Sequence, residues 1–140
     1  MLRNTHFYTV FLLTLYANHA CAQSAKAVET LTGKVVSVTD GDTIQVQVES
    51  GKAPLKVRLD GIDAPEKKQA FGEKSKYALS YLIYGKEVRV EKTGEDQYGR
   101  ILGIIKIGDI DANAKMIEYG WAWHYKEYNK DKRLAELETK

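Results

Sequence analysis

Residues 34–66 read KVVSVTDGDTIQVQVESGKAPLKVRLDGIDAPE, and their pattern sets the architecture of the chain. β-Branched residues dominate Lys34 to Thr39, and from Thr43 to Glu49 apolar Ile44, Val46 and Val48 alternate with Gln45, Gln47 and Glu49. That period of two predicts two half-buried strands. Asp40-Gly41-Asp42-Thr43 between them predicts a hairpin turn, with the Asp-Gly pair supplying positive φ and Asp42 falling just after it. Ser50 to Pro54 forms a second turn. Leu55, Val57 and Leu59 then alternate with Lys56, Arg58 and Asp60, which puts Arg58 on the face opposite the apolar one. Gly61 breaks this third strand and Pro65 stiffens its exit, so Arg58, Asp63 and Glu66 sit at fixed spacing on a short restrained segment.

Downstream the period turns helical from Lys67 to Tyr84, with Phe71, Ala78, Leu79, Leu82 and Ile83 among charges and Gly85 as the stop. Lys86 to Thr93 alternates again as a fourth strand, 94–100 is a polar turn, and Ile101 to Ile107 is a fifth strand. Ala112 to Tyr119 reads as a short helix stopped by Gly120, and a last helical piece starting near Asn129 or Asp131 carries Leu134 and Leu137. The order predicts an α+β domain: five short strands curling into a Greek-key barrel of the OB type, with about three helices. Such a barrel commonly binds oligonucleotides or oligosaccharides, but the fold alone assigns no function.

Residues 1–22 have the pattern of a signal peptide. Arg3 and His6 precede an apolar run from Phe7 to Ala17, and Ala20-Cys21-Ala22 offers small residues for cleavage. As a helix that run would span only ~16 Å against a hydrocarbon core of ~30 Å, so no stable membrane association is expected. The expectation is a secreted or periplasmic protein, cleaved near Ala22. Residues 23–31 form a flexible lead-in, and 32–140 the domain.

Cleavage there removes the single Cys, two of the three His and one base, leaving His124 and a net charge near +1. Thiol chemistry, disulfides, Cys-ligated zinc and two-histidine mechanisms are thereby excluded. Carboxylates, Arg, Lys, Tyr and oxygen-ligated metals remain. With so small a net charge, contact with nucleic acid must come from local clusters.

Three such clusters lie at strand ends: Asp40-Gly41-Asp42-Thr43, Arg58 through Glu66, and Asp96-Gln97-Tyr98-Gly99-Arg100. Phosphodiester hydrolysis asks for a hard cation on a non-bridging oxygen, a carboxylate for water, and fixed positive charge for the five-coordinate phosphorus. Two Asp, one Glu and two Arg supply that set. Asp42, Asp63 and a carbonyl are too few to fill the 6 to 8 positions of Ca²⁺, so water and phosphate must complete the shell and binding is expected to be weak.

T-D-G-D-T, R-L-D-G-I-D-A-P-E and D-Q-Y-G-R, in that order and with a helix between the second and third, resemble the thermonuclease (staphylococcal nuclease-like) family over nearly all of residues 32–138. The resemblance implies a five-stranded OB barrel and calcium-dependent hydrolysis of DNA and RNA to 3′-phosphates. It implies calcium ligands at Asp42, Asp63 and the backbone carbonyl of Ala64, a catalytic Glu66, and phosphate-binding Arg58 and Arg100. Gln97 stands where the best-known member has Lys, and the loop after Glu66 is shorter than in that member. Members also generally extend the last helix into a Trp-bearing tail. That suggests a truncated C-terminus here, with marginal folding until Ca²⁺ and nucleotide bind.

Tyr98 and Tyr125 or Tyr128 are candidate base-stacking residues, and Lys67 and Lys68 candidate phosphate contacts. Trp121 and Trp123 are expected to pack between the barrel and the last helix, and His124 to be a packing or surface residue. Asp109, Asp111 and Asn113 match the opening of an EF-hand loop. Ala114 and Gly120 break that pattern, so the stretch reads as a capped turn. Asp60 reads as turn chemistry. The expected substrates are DNA and RNA, preferably single-stranded, and the expected state a monomer. An inactive OB module that binds single-stranded nucleic acid is the alternative.

Overall fold

The computed structural model describes residues 28–139. The expected signal peptide and residues 23–27 of the lead-in lie outside the described residues. Strand β1 (Thr30–Asp40) begins within the stretch expected as lead-in, because Thr30 and Leu31 pair with Glu91 and Val90. β2 (Thr43–Gln47) and β3 (Leu55–Leu59) come next as antiparallel neighbours, and β2 stops at Gln47, short of Glu49. Beyond the two-residue strand β4 (Ile62–Asp63), β5 (Glu87–Glu95) and β6 (Ile101–Ile107) continue the sheet from β1, and the parallel pairing of β3 with β6 closes it. The result is a closed five-stranded mixed barrel, as the strand count predicts.

Alternation alone does not set the register. β1 slips at Val36, so Val35 and Val38, rather than Val35 and Ser37, face inward opposite Val46 and Ile44. An extra residue in one strand bends it and re-aims the residues beyond. The backbone of Val35 turns to the far side, donating to Lys86 O and accepting from Gly85 N, both at 3.0 Å. Those bonds dock the exit of helix α1 (Gly72–Ile83) onto the barrel.

Helix α1 starts at Gly72, five residues later than its periodicity predicts. Residues 67–71 form a turn instead, because Gly72 lies against the backbone of Glu66. A Cβ there would sit 1.9 Å from Glu66 O. Gly72, Ser75, Leu79 and Ile83 form the buried face. Helix α2 (Ala112–Glu118) buries Ala112, Asn113, Met116 and Ile117, and α3 (Lys132–Leu137) buries Leu134. One core joins them with Val46, Val57, Leu59, Val88, Val90 and Ile105.

Three short strands escape any periodicity. β4 is one of them, β7 (Ile110–Asp111) folds back antiparallel on β6, and β8 (Trp123–His124) pairs with β4. Two residues carry no period, so no pattern announces them. The β4–β8 ribbon fixes the segment just beyond Arg58.

Candidate active site

The hairpin turn is Gly41-Asp42, not Asp40-Gly41, since Asp40 and Thr43 are register partners. Gly41 does not have positive φ. Its lack of a side chain serves close approach, because a Cβ would meet Ser75 Oγ at 1.9 Å and Ala64 Cβ at 2.7 Å. The turn is pressed onto α1 and the end of β4, and Asp42 is thereby turned into the protein, 7% exposed.

Both oxygens of Asp42 are engaged. Thr43 Oγ1 donates to Oδ1 at 2.8 Å, and the backbone N–H of Ala64 donates to Oδ2 at 3.1 Å. Burial pushes its carboxyl up to about 6, against the opposing influence of the Arg58 guanidinium and the Thr43 hydroxyl. Arg58 Nη1 lies 3.3 Å from Asp42 Oδ2, while Nη2 lies 2.9 Å from Asp63 Oδ1. Nη1 also donates to Ile62 O at 3.0 Å. One guanidinium thus spans both carboxylates and the β4 backbone, which its planar fork permits and an ammonium would not.

Arg58 and the Ala64 N–H thus bring Asp42, Asp63 and Ala64 together. Their chemistry fits a hard divalent cation: two carboxylates, one of them buried, with the Ala64 backbone, whose carbonyl is a hard oxygen donor, held at Asp42 by its N–H. A cation would offset the desolvation that holds Asp42 up. Among the described residues no third acidic or His side chain completes a cluster, so water or substrate must supply the remaining ligands.

Arg100 reaches the site from the 96–100 turn. Asp96 Oδ1 accepts from the backbone N–H groups of Tyr98 and Arg100, at 2.9 and 3.0 Å, and Oδ2 takes Arg100 Nε at 2.7 Å. Desolvation opposes ionisation of Asp96, but these hydrogen bonds outweigh it and hold the carboxyl below its ordinary value. Asp96 is thus the residue that orients Arg100, a role the sequence reading did not assign it. An acid four residues before the Arg, with Gly99 between, was the available signal.

Arg58, Arg100, Tyr98, Tyr125 and Tyr128 line one cleft of about 510 Å³. Its aromatic wall is ordered by charge: Arg58 stands 6.0 Å from the Tyr125 ring centroid and Arg100 5.6 Å from that of Tyr98. The Tyr125 and Tyr128 rings pack tilted at 44° with centroids 4.8 Å apart, and Tyr125 N–H donates to Gly61 O at 2.9 Å. Gln97 also lines the cleft. All three candidate tyrosines are thus together.

Glu66 and the lysines are placed differently. Glu66 is exposed, and its backbone N–H donates to Gln69 Oε1 at 2.7 Å. Among the described residues its carboxylate has no ion-pair or hydrogen-bond partner. Lys67 lies 3.7 Å from Glu73, and Lys68 is exposed. None of these three lines the arginine cleft.

Other expectations resolve simply. Asp60 Oδ1 accepts from Gly61 N–H, as turn chemistry. Asp111 caps α2 through Ala114 N–H, and Asn113 is buried, accepting from Ile105 N–H and donating to the carbonyls of Asp60 and Gly103. His124 is buried in packing. Of the tryptophans, Trp121 packs partly against the core, but Trp123 is turned outward and 45% exposed, because its neighbour His124 takes the inward position in a two-residue strand.

A family model described as "Staphylococcal nuclease homologue" matches residues 56–140. The chain belongs to the staphylococcal nuclease homologue family. Among similar proteins, an "Uncharacterized endonuclease" of Haemophilus influenzae is 40% identical over 131 residues, covering 94% of this chain and 70% of that protein. Another of Escherichia coli is 45% identical over 108 residues, 76% of this chain and 69% of that protein. A "Micrococcal nuclease" of Shigella flexneri is 38% identical over 117 residues, 76% of this chain and 66% of that protein. The family match begins at Lys56 and so contains Arg58, Asp63, Glu66 and Arg100, while Asp42 lies upstream of it.

Proposed function

We infer that this member of the staphylococcal nuclease homologue family is an exported, calcium-dependent nuclease that hydrolyses phosphodiester bonds of DNA and RNA, preferably single-stranded, to leave 3′-phosphates. The observation that carries the reading is the bridging of Asp42 and Asp63 by Arg58, with Arg100 across the same cleft. Two buried or half-buried acids held by Arg58, which itself lines a cleft with Arg100, suit a substrate that carries one negative charge and needs a hard cation. The names of the relatives point the same way, and the leader pattern of residues 1–22 supports export.

Asp42, Asp63 and the Ala64 carbonyl would hold Ca²⁺, which supplies positive charge to a non-bridging phosphate oxygen. Arg58 and Arg100 stabilise the charge that builds on the five-coordinate phosphorus, with Arg100 toward the leaving oxygen. Glu66 orients the attacking water and accepts its proton at the carboxylate. Freedom from protein partners leaves that carboxylate available to water. Tyr98, Tyr125 and Tyr128 give bases a sequence-tolerant wall, and Lys67 and Lys68 meet flanking phosphates.

The test is digestion of denatured DNA with Ca²⁺ and with a chelator, for the wild type and Glu66→Gln. Cleavage should vanish in chelator and fall roughly 10²–10⁴-fold in the variant. Equal cleavage in both media, or full activity in Glu66→Gln, would sink the reading.

A further inference from the structure

A second cleft, of about 540 Å³, lies against Pro65 and Trp123, shares no lining residue with the arginine cleft and belongs to none of the functions above. Its walls are aromatic: Phe71, Trp121 and Trp123, with Pro65 and Gln69 at the edge. Three features set it apart from ordinary surface. Phe71 is 67% exposed and holds φ at 64°, a left-handed conformation uncommon for a residue with a Cβ. Holding a bare aromatic ring outward in such a conformation makes no sense as core packing. Trp123 is the register partner of Asp63, so its ring stands on the same face of the ribbon, beside the carboxylate gripped by Arg58. Lys74 Nζ lies 5.5 Å from the Phe71 ring centroid, and exposed Lys68 is near in sequence.

We propose that the Phe71, Trp121 and Trp123 cleft is a base-stacking subsite for single-stranded nucleic acid, holding a nucleotide that flanks the phosphodiester being cut. The inference rests on the nuclease reading. Charge complementarity selects the occupant, since an aromatic cleft with the Lys74 ammonium beside its Phe71 ring suits a chain that alternates π-faces with phosphates. Trp121 also lines an adjoining groove with Tyr77, Tyr81 and Tyr119, which gives a longer strand a continuous path along α1. The subsite therefore acts on polymeric substrates and not on the smallest ones.

The chain has two tryptophans, and both line this cleft, so their fluorescence reports on it directly. The experiment compares the full chain with Phe71→Ala, Phe71→Leu and Trp123→Ala, on an oligothymidylate of about twelve nucleotides and on a thymidine dinucleotide. Loss of one stacking ring should raise KM for the oligomer about tenfold, with kcat/KM for the dinucleotide unchanged. Phe71→Leu, which keeps bulk and loses the π-face, should behave like Phe71→Ala. Equal losses on both substrates, or none on either, overturn the proposal.

Fluorescence titration with the oligomer in chelator separates this from the nuclease reading. If the wild type cuts neither substrate with Ca²⁺ but its tryptophans are quenched with an affinity about tenfold weaker in Phe71→Ala, the subsite stands and the nuclease reading falls. If the oligomer leaves the fluorescence unchanged, the subsite falls whatever the cleavage assay gives.

Discussion

The backbone N–H of Ala64 donates to Asp42 Oδ2 at 3.1 Å, across 22 residues of sequence. This hydrogen bond ties the hairpin turn to the end of β4, and it holds the buried Asp42 carboxylate against the Ala64 backbone. A site assembled from two distant motifs thus depends on the close fit between them.

Gly41→Ala tests that fit. The new methyl must displace Ser75 Oγ and Ala64 Cβ, so the variant should lose about 1–3 kcal/mol in urea unfolding and cleave more slowly because Asp42 moves. Adding Ser75→Gly should recover only part of the loss, since Ala64 still blocks. A fully wild-type melt for Gly41→Ala would show that the turn has room to move.

The Asp42 carboxyl gives a pH dependence whose sign is set by the direction of its shift. Its folded value, about 6, lies above the ordinary 3.8, so the stability it contributes is full below about pH 4 and is lost as pH rises through about 6. In chelator, Asp42→Asn should remove this loss, and the stability difference between variant and wild type should swing toward the variant by up to about 3 kcal/mol from acid to neutral pH. Chemical denaturation across that range measures it. A difference independent of pH would assign the burial no such effect.

Arg58→Ala leaves Asp42 buried without its cation and should cost about 3 kcal/mol, as well as cleavage. Arg58→Lys keeps the charge but cannot span Asp42, Asp63 and Ile62 O together. It should unfold at a denaturant concentration nearer the wild type, yet lose roughly 10²-fold or more in kcat. Wild-type kcat in Arg58→Lys would show that charge without the fork suffices.

Asn113 is the polar knot beneath the site. Its amide satisfies Ile105 N–H and the carbonyls of Asp60 and Gly103, and Asp60 is close to Arg58 in the chain. Asn113→Ala leaves Ile105 N–H and the Asp60 carbonyl without their partner, while Gly103 O keeps its bond from Asp60 N–H at 2.9 Å, and should cost about 2–3 kcal/mol by thermal or urea unfolding. Asn113→Asp keeps the acceptor, loses both donated bonds and adds a buried charge, so it should be no more stable than Asn113→Ala at neutral pH.

The five barrel strands, the helix order, and the gathering of acids and arginines at three strand ends were legible in the amino-acid sequence. Those are local matters: a period of two in Ile44 and Val46, a helical period in Ala78, Leu79, Leu82 and Ile83, and turn chemistry around Asp60 and Gly99. Three things needed the folded chain: why Gly41 has no side chain, how Asp42 comes to be buried, and that Arg58 grips two carboxylates at once. The outward turn of Trp123 and the inward turn of His124 belong with them, because they depend on β8 pairing with the distant β4, Ile62 opposite His124. A pattern along the chain records which residues prefer burial. Which distant segments press together, and which side chain must then be absent or turned outward, is set by packing between parts that share no local period.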